Sequence, residues 1–178
     1  MKRRMVRLTI LCAGLALFAS GVAPLVRRAF AADAKSNVTL KADAAQPREV
    51  EDTTEKAIAR DYAAAWDALS AGLRNNDVNA LDAGLVGRAR EQFAQAIADQ
   101  KQAGIKVRYT DKGHQLEAVF YSPDGSAMQL RDTAQLTREI LDGDKVIQRE
   151  DVTAHYYVLM SVAEDRWKLR AIQEVPNF

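Results

Sequence analysis

Residues 151–175, DVTAHYYVLMSVAEDRWKLRAIQEV, contain two runs in which apolar and polar residues alternate. The runs flank the short polar interruption at 163–166, and this pattern predicts an antiparallel β-hairpin. In the first run the even-numbered residues from Val152 to Val162 are apolar or aromatic, so we expect them to form the floor of a core. The odd-numbered residues of the same run are expected to face away from that core.

The sequence before this hairpin also has a period of two. Residues 105–110 and 116–120 alternate, and the polar triplet at 111–113 between them predicts a turn. A second turn is predicted at 122–125, where the sequence is SPDG. The alternating run at 126–141 is long for one strand, which indicates a bend or a bulge inside it. These runs and the closing hairpin predict an antiparallel meander of four to five strands.

Helical periodicity dominates the earlier half of the chain. Apolar and aromatic residues recur every three or four positions within 53–75, which predicts a first helix. Asp77 can cap a short second helix, and a third is predicted at 88–103, ending at Gly104. We therefore predict an α+β domain over residues 53–178, in which three helices pack on one face of a curved antiparallel sheet.

The first 31 residues have the layout of an export signal. Basic residues precede an uncharged run at 8–26, and the small-residue pattern AFA ends at Ala31. The run is also long enough to cross a bilayer, so an uncleaved membrane anchor is the alternative, with residues 8–26 as the only membrane contact. Residues 32–52 have few large apolar side chains and predict a flexible linker. In both cases we expect the domain outside the cytoplasm, in the periplasm or the extracellular space.

Composition excludes several classes of function. Of the 25 Lys and Arg residues, six lie in the first 31 positions, so cleavage leaves 19 basic against 24 acidic residues and a formal charge of −5. A nucleic-acid partner is therefore not expected. The single cysteine, Cys12, lies in the uncharged run. The histidines His114 and His155 lie apart and match no zinc spacing, and there is no glycine-rich phosphate loop, so neither a metal nor a cofactor is expected.

The order of helices and strands, closed by VLMSVAEDRWKLRAI, resembles the nuclear transport factor 2-like cone fold, also called cystatin-like or SnoaL-like. Three segments look like the domain labelled IMS in plastid-division proteins: AWDALSAGLRNNDVNALDAGLVGRAREQF, SPDGSAMQLRDTA and HYYVLMSVAEDRWKLR. The resemblance spans residues 54–176. It implies a fold that hosts isomerases, dehydratases, small-molecule binders and protein-interaction modules, so the function has to be argued from the site.

Asp132 is the one acidic residue that strand alternation places among apolar neighbours. The resemblance implies that a cone-fold enzyme would use such a residue as a general base, which makes Asp132 the catalytic candidate. Its site would bind a small apolar ligand between three aromatic walls, Tyr62, Trp66 and Tyr156. The alternatives are that the aromatic residues belong to the core, and that Asp132 is turned outward by a bulge or paired with Arg138 or another base.

Three residues of the closing hairpin, His155, Tyr157 and Leu159, are predicted to share its outward face. An apolar patch on the open face of a sheet commonly marks an interface, although single exposed apolar residues need no explanation. Our main hypothesis is a non-enzymatic extracytoplasmic binding or scaffold module that associates with a second copy or a partner protein through this face. The alternatives are a small-molecule-binding, isomerase or dehydratase type of cone-fold protein with Asp132 in its cavity, and a membrane-anchored assembly factor.

Overall fold

The computed structural model describes residues 37–178. The predicted signal or anchor at 1–31 and Cys12 lie outside the described residues. The helices of the described part are α1 (Asp52–Asn75), a 3₁₀-helix (Val78–Ala83) and α2 (Gly87–Ala103). The strands are β1 (Val38–Lys41), β2 (Gln46–Pro47), β3 (Ile105–Tyr121), β4 (Ala127–Asp142), β5 (Lys145–Ala163) and β6 (Arg166–Val175). None of the helices in residues 37–178 is long and apolar enough to span a bilayer.

The strands form one mixed sheet of six strands, in the order β1-β3-β4-β5-β6, with β2 also paired to β3. Strands β3 to β6 form the predicted antiparallel meander, whereas β1 and β2 run parallel to β3. The prediction of a purely antiparallel sheet of four to five strands is therefore wrong in detail. Residues 38–41 lie in the segment predicted as a linker, but Val38 is buried and Leu40 packs against the core, which stabilises this short strand.

The predicted third helix is correct in extent, but the short middle helix is a 3₁₀-helix, so residues 37–178 contain two α-helices and one 3₁₀-helix where three helices were expected. The Asp77 carboxylate accepts a hydrogen bond from the Asn79 backbone N–H at 3.0 Å and caps this element, as predicted. Gly104 ends α2 in a left-handed conformation, with φ of 70°. The helices pack on one face of the sheet, and the core lies between α1 and that face.

The triplet at 111–113 is a β-bulge and not the predicted turn, so β3 runs through it as one strand. Asp111 pairs with Leu136 and Gly113 with Gln135, which leaves Lys112 without a partner position on β4. The Asp111 side chain accepts a hydrogen bond from the Gly113 N–H at 2.7 Å, a contact that is also common in turns. Because the bulge adds one residue, the inward phase of β3 changes from odd to even positions.

The inward phase after the bulge includes His114, Leu116 and Ala118, all of which are buried. A second irregularity between Ala118 and Phe120 reverses the phase again, so Tyr121 is buried while Phe120 is 39% exposed. On β5 the predicted floor is present at Ala154, Val158 and Met160. It ends there, because the pairing of β5 with β6 shifts register after Leu159, and Val162 is 45% exposed.

Candidate functional site

Three side chains from different elements meet in the core: Tyr62 of α1, His114 of β3 and Asp132 of β4. Asp132 Oδ2 accepts a hydrogen bond from the Tyr62 hydroxyl at 2.7 Å and lies 2.7 Å from His114 Nδ1. All three residues are buried, and Asp132 has no exposed surface. The opposite edge of the imidazole, His114 Nε2, lies 3.5 Å from the Asp111 carboxylate. We call Tyr62, His114 and Asp132 the buried polar cluster.

The charges of the buried polar cluster follow from its surroundings. Burial lowers the pKa of His114, but the nearby Asp111 carboxylate and the hydrogen-bonded Asp132 carboxylate outweigh burial and raise that pKa to about 9. Burial and the nearby Asp132 carboxylate raise the pKa of Tyr62 well above its usual value. At neutral pH His114 is therefore an imidazolium that donates to Asp132, and Tyr62 is a neutral phenol that donates to the same oxygen.

The four residues predicted to share one ligand pocket lie in two separate places. Tyr62 and Asp132 belong to the buried polar cluster. Trp66 and Tyr156 line a cavity of about 100 Å³, and neither Tyr62 nor Asp132 lines that cavity. The Trp66 ring stands between the two, with its centroid 4.6 Å from that of His114 and 5.7 Å from that of Tyr156. A ligand in this cavity would contact the aromatic residues and not the Asp132 carboxylate.

Asp132 lies on the inward face that alternation predicted, and it is neither rotated outward nor paired with Arg138. Arg138 is bound to Glu150 instead, with Nε 2.6 Å from the Glu150 carboxylate. The base that pairs with Asp132 is His114, which directly follows the triplet 111–113 that was predicted as a turn. The sequence did contain a signal, because His114 has the same parity as Leu116 and Ala118.

The predicted interface residues His155, Tyr157 and Leu159 are half-buried and lie on the face of β5 that points away from the helices. The Phe178 ring lies on this face, with its centroid 5.0 Å from that of His155 and 5.5 Å from that of Tyr157. The Arg131 guanidinium lies 5.7 Å from the centre of the Phe178 ring. The contacts of Phe178 with this face were not predicted, because a single aromatic residue after a strand forms no periodic pattern.

An open groove of about 550 Å³ adjoins the same face, along the outer strand β6. It is lined by residues of α2, β4, β5 and β6, among them Arg88, Gln129, Tyr157, Leu159, Ala171 and Gln173. Within residues 37–178 no group of three or more His, Cys, Asp or Glu side chains is placed to hold a metal ion. Two of the predicted interface residues, Tyr157 and Leu159, line this groove.

No protein-family model matches the chain, and no curated protein matches it. Among solved structures, it is similar to the intermembrane space region of the chloroplast protein ARC6, with a TM-score of 0.60, 17% identity, and coverage of 72% of this chain and 98% of that one. Lower scores relate it to a protein assigned as a dehydratase of the NTF2-like family from Streptomyces avermitilis (TM-score 0.46, 12% identity, coverage 70% and 97%). A protein assigned as a scytalone dehydratase from Novosphingobium aromaticivorans has a TM-score of 0.44 and 12% identity, with coverage of 67% and 83%. At these identities the likeness concerns the fold alone.

Proposed function

We propose that this chain, whose sequence resembles the nuclear transport factor 2-like cone fold and whose structure is similar to the ARC6 region, serves as a non-enzymatic, extracytoplasmic binding module that holds a partner protein on the open side of its sheet. The observation that carries the proposal is the contrast between two regions. The only predicted catalytic residue, Asp132, is fully buried and bound by two core side chains. The groove beside Tyr157 and Leu159 is open to a partner.

The shape of the groove favours an extended segment of another protein over a second copy of this chain. A two-fold dimer places the same patch of each copy against itself, and a concave groove cannot fill a concave groove. Strand β6 is the outer strand on this side of the sheet. On its outer edge, β6 forms one isolated parallel bridge, between Leu169 and Leu85. Apart from this bridge, no strand in residues 37–178 pairs with the outer edge of β6. An extended peptide can add to such an edge and place side chains in the adjoining groove.

Leu159→Glu and Tyr157→Glu are expected to weaken peptide binding by at least about tenfold, because each places a charge in an apolar part of the groove. Linear peptides selected from a phage-displayed library on the wild-type protein provide the ligand. Their dissociation constants would be measured by fluorescence anisotropy for the wild type and both variants. Ile147→Glu is the matched control, since Ile147 is 56% exposed on β5 and does not line the groove.

Two outcomes would contradict the proposed partner. In the first, the selected peptides bind the wild type, Leu159→Glu and Ile147→Glu equally well. In the second, sedimentation velocity shows a wild-type dimer that Leu159→Glu converts to a monomer, which would assign the face to a second copy of the chain.

The buried polar cluster also supports a second candidate function, a small-molecule enzyme with Asp132 as general base. The observation in its favour is that Asp132 Oδ1 has no hydrogen-bond partner within residues 37–178, so one carboxylate oxygen remains available as an acceptor. Such an enzyme would need Trp66 to move so that a substrate could reach Asp132.

Carbodiimide labelling separates the two functions. We expect Asp132 to stay unmodified while the exposed Asp144 is labelled by carbodiimide and glycinamide, because a sealed carboxylate does not meet the reagent. Peptide mass spectrometry would give the extent of labelling at each residue. Modification of Asp132 at a rate close to that of Asp144 would favour the enzyme.

A further inference from the structure

We propose that the cavity beside Trp66 binds a quaternary ammonium group. Its walls are Trp66 of α1, Phe93 of α2, Tyr109 of β3 and Tyr156 of β5, and Glu174 of β6 lies at its side. We call these five residues the aromatic cage. The cavity shares Gln92, Ile172 and Glu174 with the lining of the groove, but its aromatic walls do not line the groove. The inference does not depend on the peptide partner proposed above.

The aromatic residues that line the cavity meet one another at wide angles. The Trp66 centroid lies 6.3 Å from that of Tyr109, with the two planes at 88°, and 5.7 Å from that of Tyr156, with the planes at 55°. Phe93 adds a ring from the second helix. A cation within about 6 Å of such rings is attracted by their negative faces, and several rings around one cation add to that attraction.

The charges around the cage favour a cation. The Glu174 carboxylate lies near enough to Tyr109 and Tyr156 that, after burial, its charge contributes to a raised pKa of both phenols. Glu174 makes no ion pair and no side-chain hydrogen bond with any residue of the described chain. Arg138 is the cation near both tyrosines, and its charge is compensated by Glu150. One negative charge therefore remains uncompensated.

The walls distinguish a quaternary ammonium from a primary one. A lysine-like ammonium brings three N–H donors, each of which needs an acceptor when it leaves water. Six of the eight lining residues are aromatic or aliphatic, among them Leu69 and Ile172, and the acceptors are Gln92, Glu174 and the two tyrosine hydroxyls. A trimethylammonium group has no N–H to satisfy, and the volume of about 100 Å³ has room for one such small group.

Isothermal titration calorimetry of the purified full chain with choline tests the proposal. We expect choline to bind, and its neutral isostere 3,3-dimethylbutanol to bind about tenfold more weakly or not at all, because the isostere keeps the shape but not the charge. Phosphatidylcholine vesicles form a second arm in a flotation assay. Binding to free choline without vesicle flotation assigns a free solute, whereas flotation that choline competes away assigns a lipid headgroup; both support the cage.

Variants keep the test informative even where a core substitution prevents folding. Glu174→Gln, at an exposed position, should weaken choline binding about fivefold, whereas Glu164→Gln on the β5–β6 turn should not change it. Tyr156→Phe keeps the ring and should bind choline nearly as well as the wild type, while Tyr156→Leu should lose binding. The proposal is overturned if choline does not bind, if choline and 3,3-dimethylbutanol bind equally, or if Glu174→Gln binds choline as tightly as the wild type.

Discussion

Replacing Asp132 by alanine is expected to lower the free energy of unfolding by about 3–5 kcal/mol, the cost of breaking a buried charge pair by removing one partner. The substitution leaves the His114 imidazolium without its partner at Nδ1 and the Tyr62 hydroxyl without an acceptor. Both groups are buried, so water cannot replace the lost carboxylate without opening the core. Urea unfolding followed by far-UV circular dichroism measures the change, and the midpoint should move without a change in slope.

Two further variants identify the cause of the loss. Asp132→Asn keeps the shape and one oxygen acceptor for Tyr62 but removes the charge, so its loss should be smaller than that of the alanine variant. Asp144→Ala, at an exposed turn, should lie within about 0.5 kcal/mol of the wild type. If Asp132→Ala unfolded at the same urea concentration as Asp144→Ala, the buried polar cluster could not be a structural network.

The stability of the protein is expected to fall as the pH rises from about 6.5 to about 9. The pKa of His114 is about 9 in the folded protein, against 6.5 for a histidine in an unfolded chain. Between these values the folded protein binds one proton more than the unfolded protein does, so each pH unit lowers the free energy of unfolding by about 1.4 kcal/mol. The contribution is complete below pH 6.5 and is lost as the pH rises through 9.

Urea unfolding at intervals between pH 6 and pH 10 would measure this slope. His114→Gln, which keeps a polar side chain but does not titrate, should have a flatter profile across the same range. A wild-type profile as flat as that of His114→Gln would contradict the assignment of a buried imidazolium. The two tyrosines of the aromatic cage do not contribute to this slope, because the pKa of each is raised above its usual value of 10.

Periodicity in the sequence predicted the order of elements well, because long regular runs repeat the same contact many times. The stripe within 53–75 became α1, and the alternation around Asp132 became the inward face of β4. The error at 111–113 has a physical cause. Asp followed by Gly stabilises a turn and a bulge through the same side-chain contact, and only the pairing of β3 with β4 decides between them.

The parts of the site that could not be predicted depend on contacts between distant segments. Val38 is buried in the core, but its strand β1 has only four residues. Such a short run within a polar segment is too short to show an alternating pattern in the sequence. Trp66 separates Asp132 from the cavity because its ring packs between His114 of β3 and Tyr156 of β5, and no local pattern predicts these long-range contacts. Phe178 follows the last strand and contacts His155 and Tyr157, which are also distant from it in sequence.

The bulge at Lys112 makes the position of His114 depend on a count of residues. Lys112 contributes little through its own side chain, which lies at the surface against Asp151. Its presence, however, decides which side of the sheet receives every later residue up to the next irregularity of β3. Deletion of one residue at the bulge would turn the buried side chains of β3 after Lys112 outward and the exposed ones inward. A substitution of Lys112, by contrast, would leave the direction of these side chains unchanged. Selection on the buried imidazolium therefore acts on insertion and deletion at this position more than on the choice of amino acid.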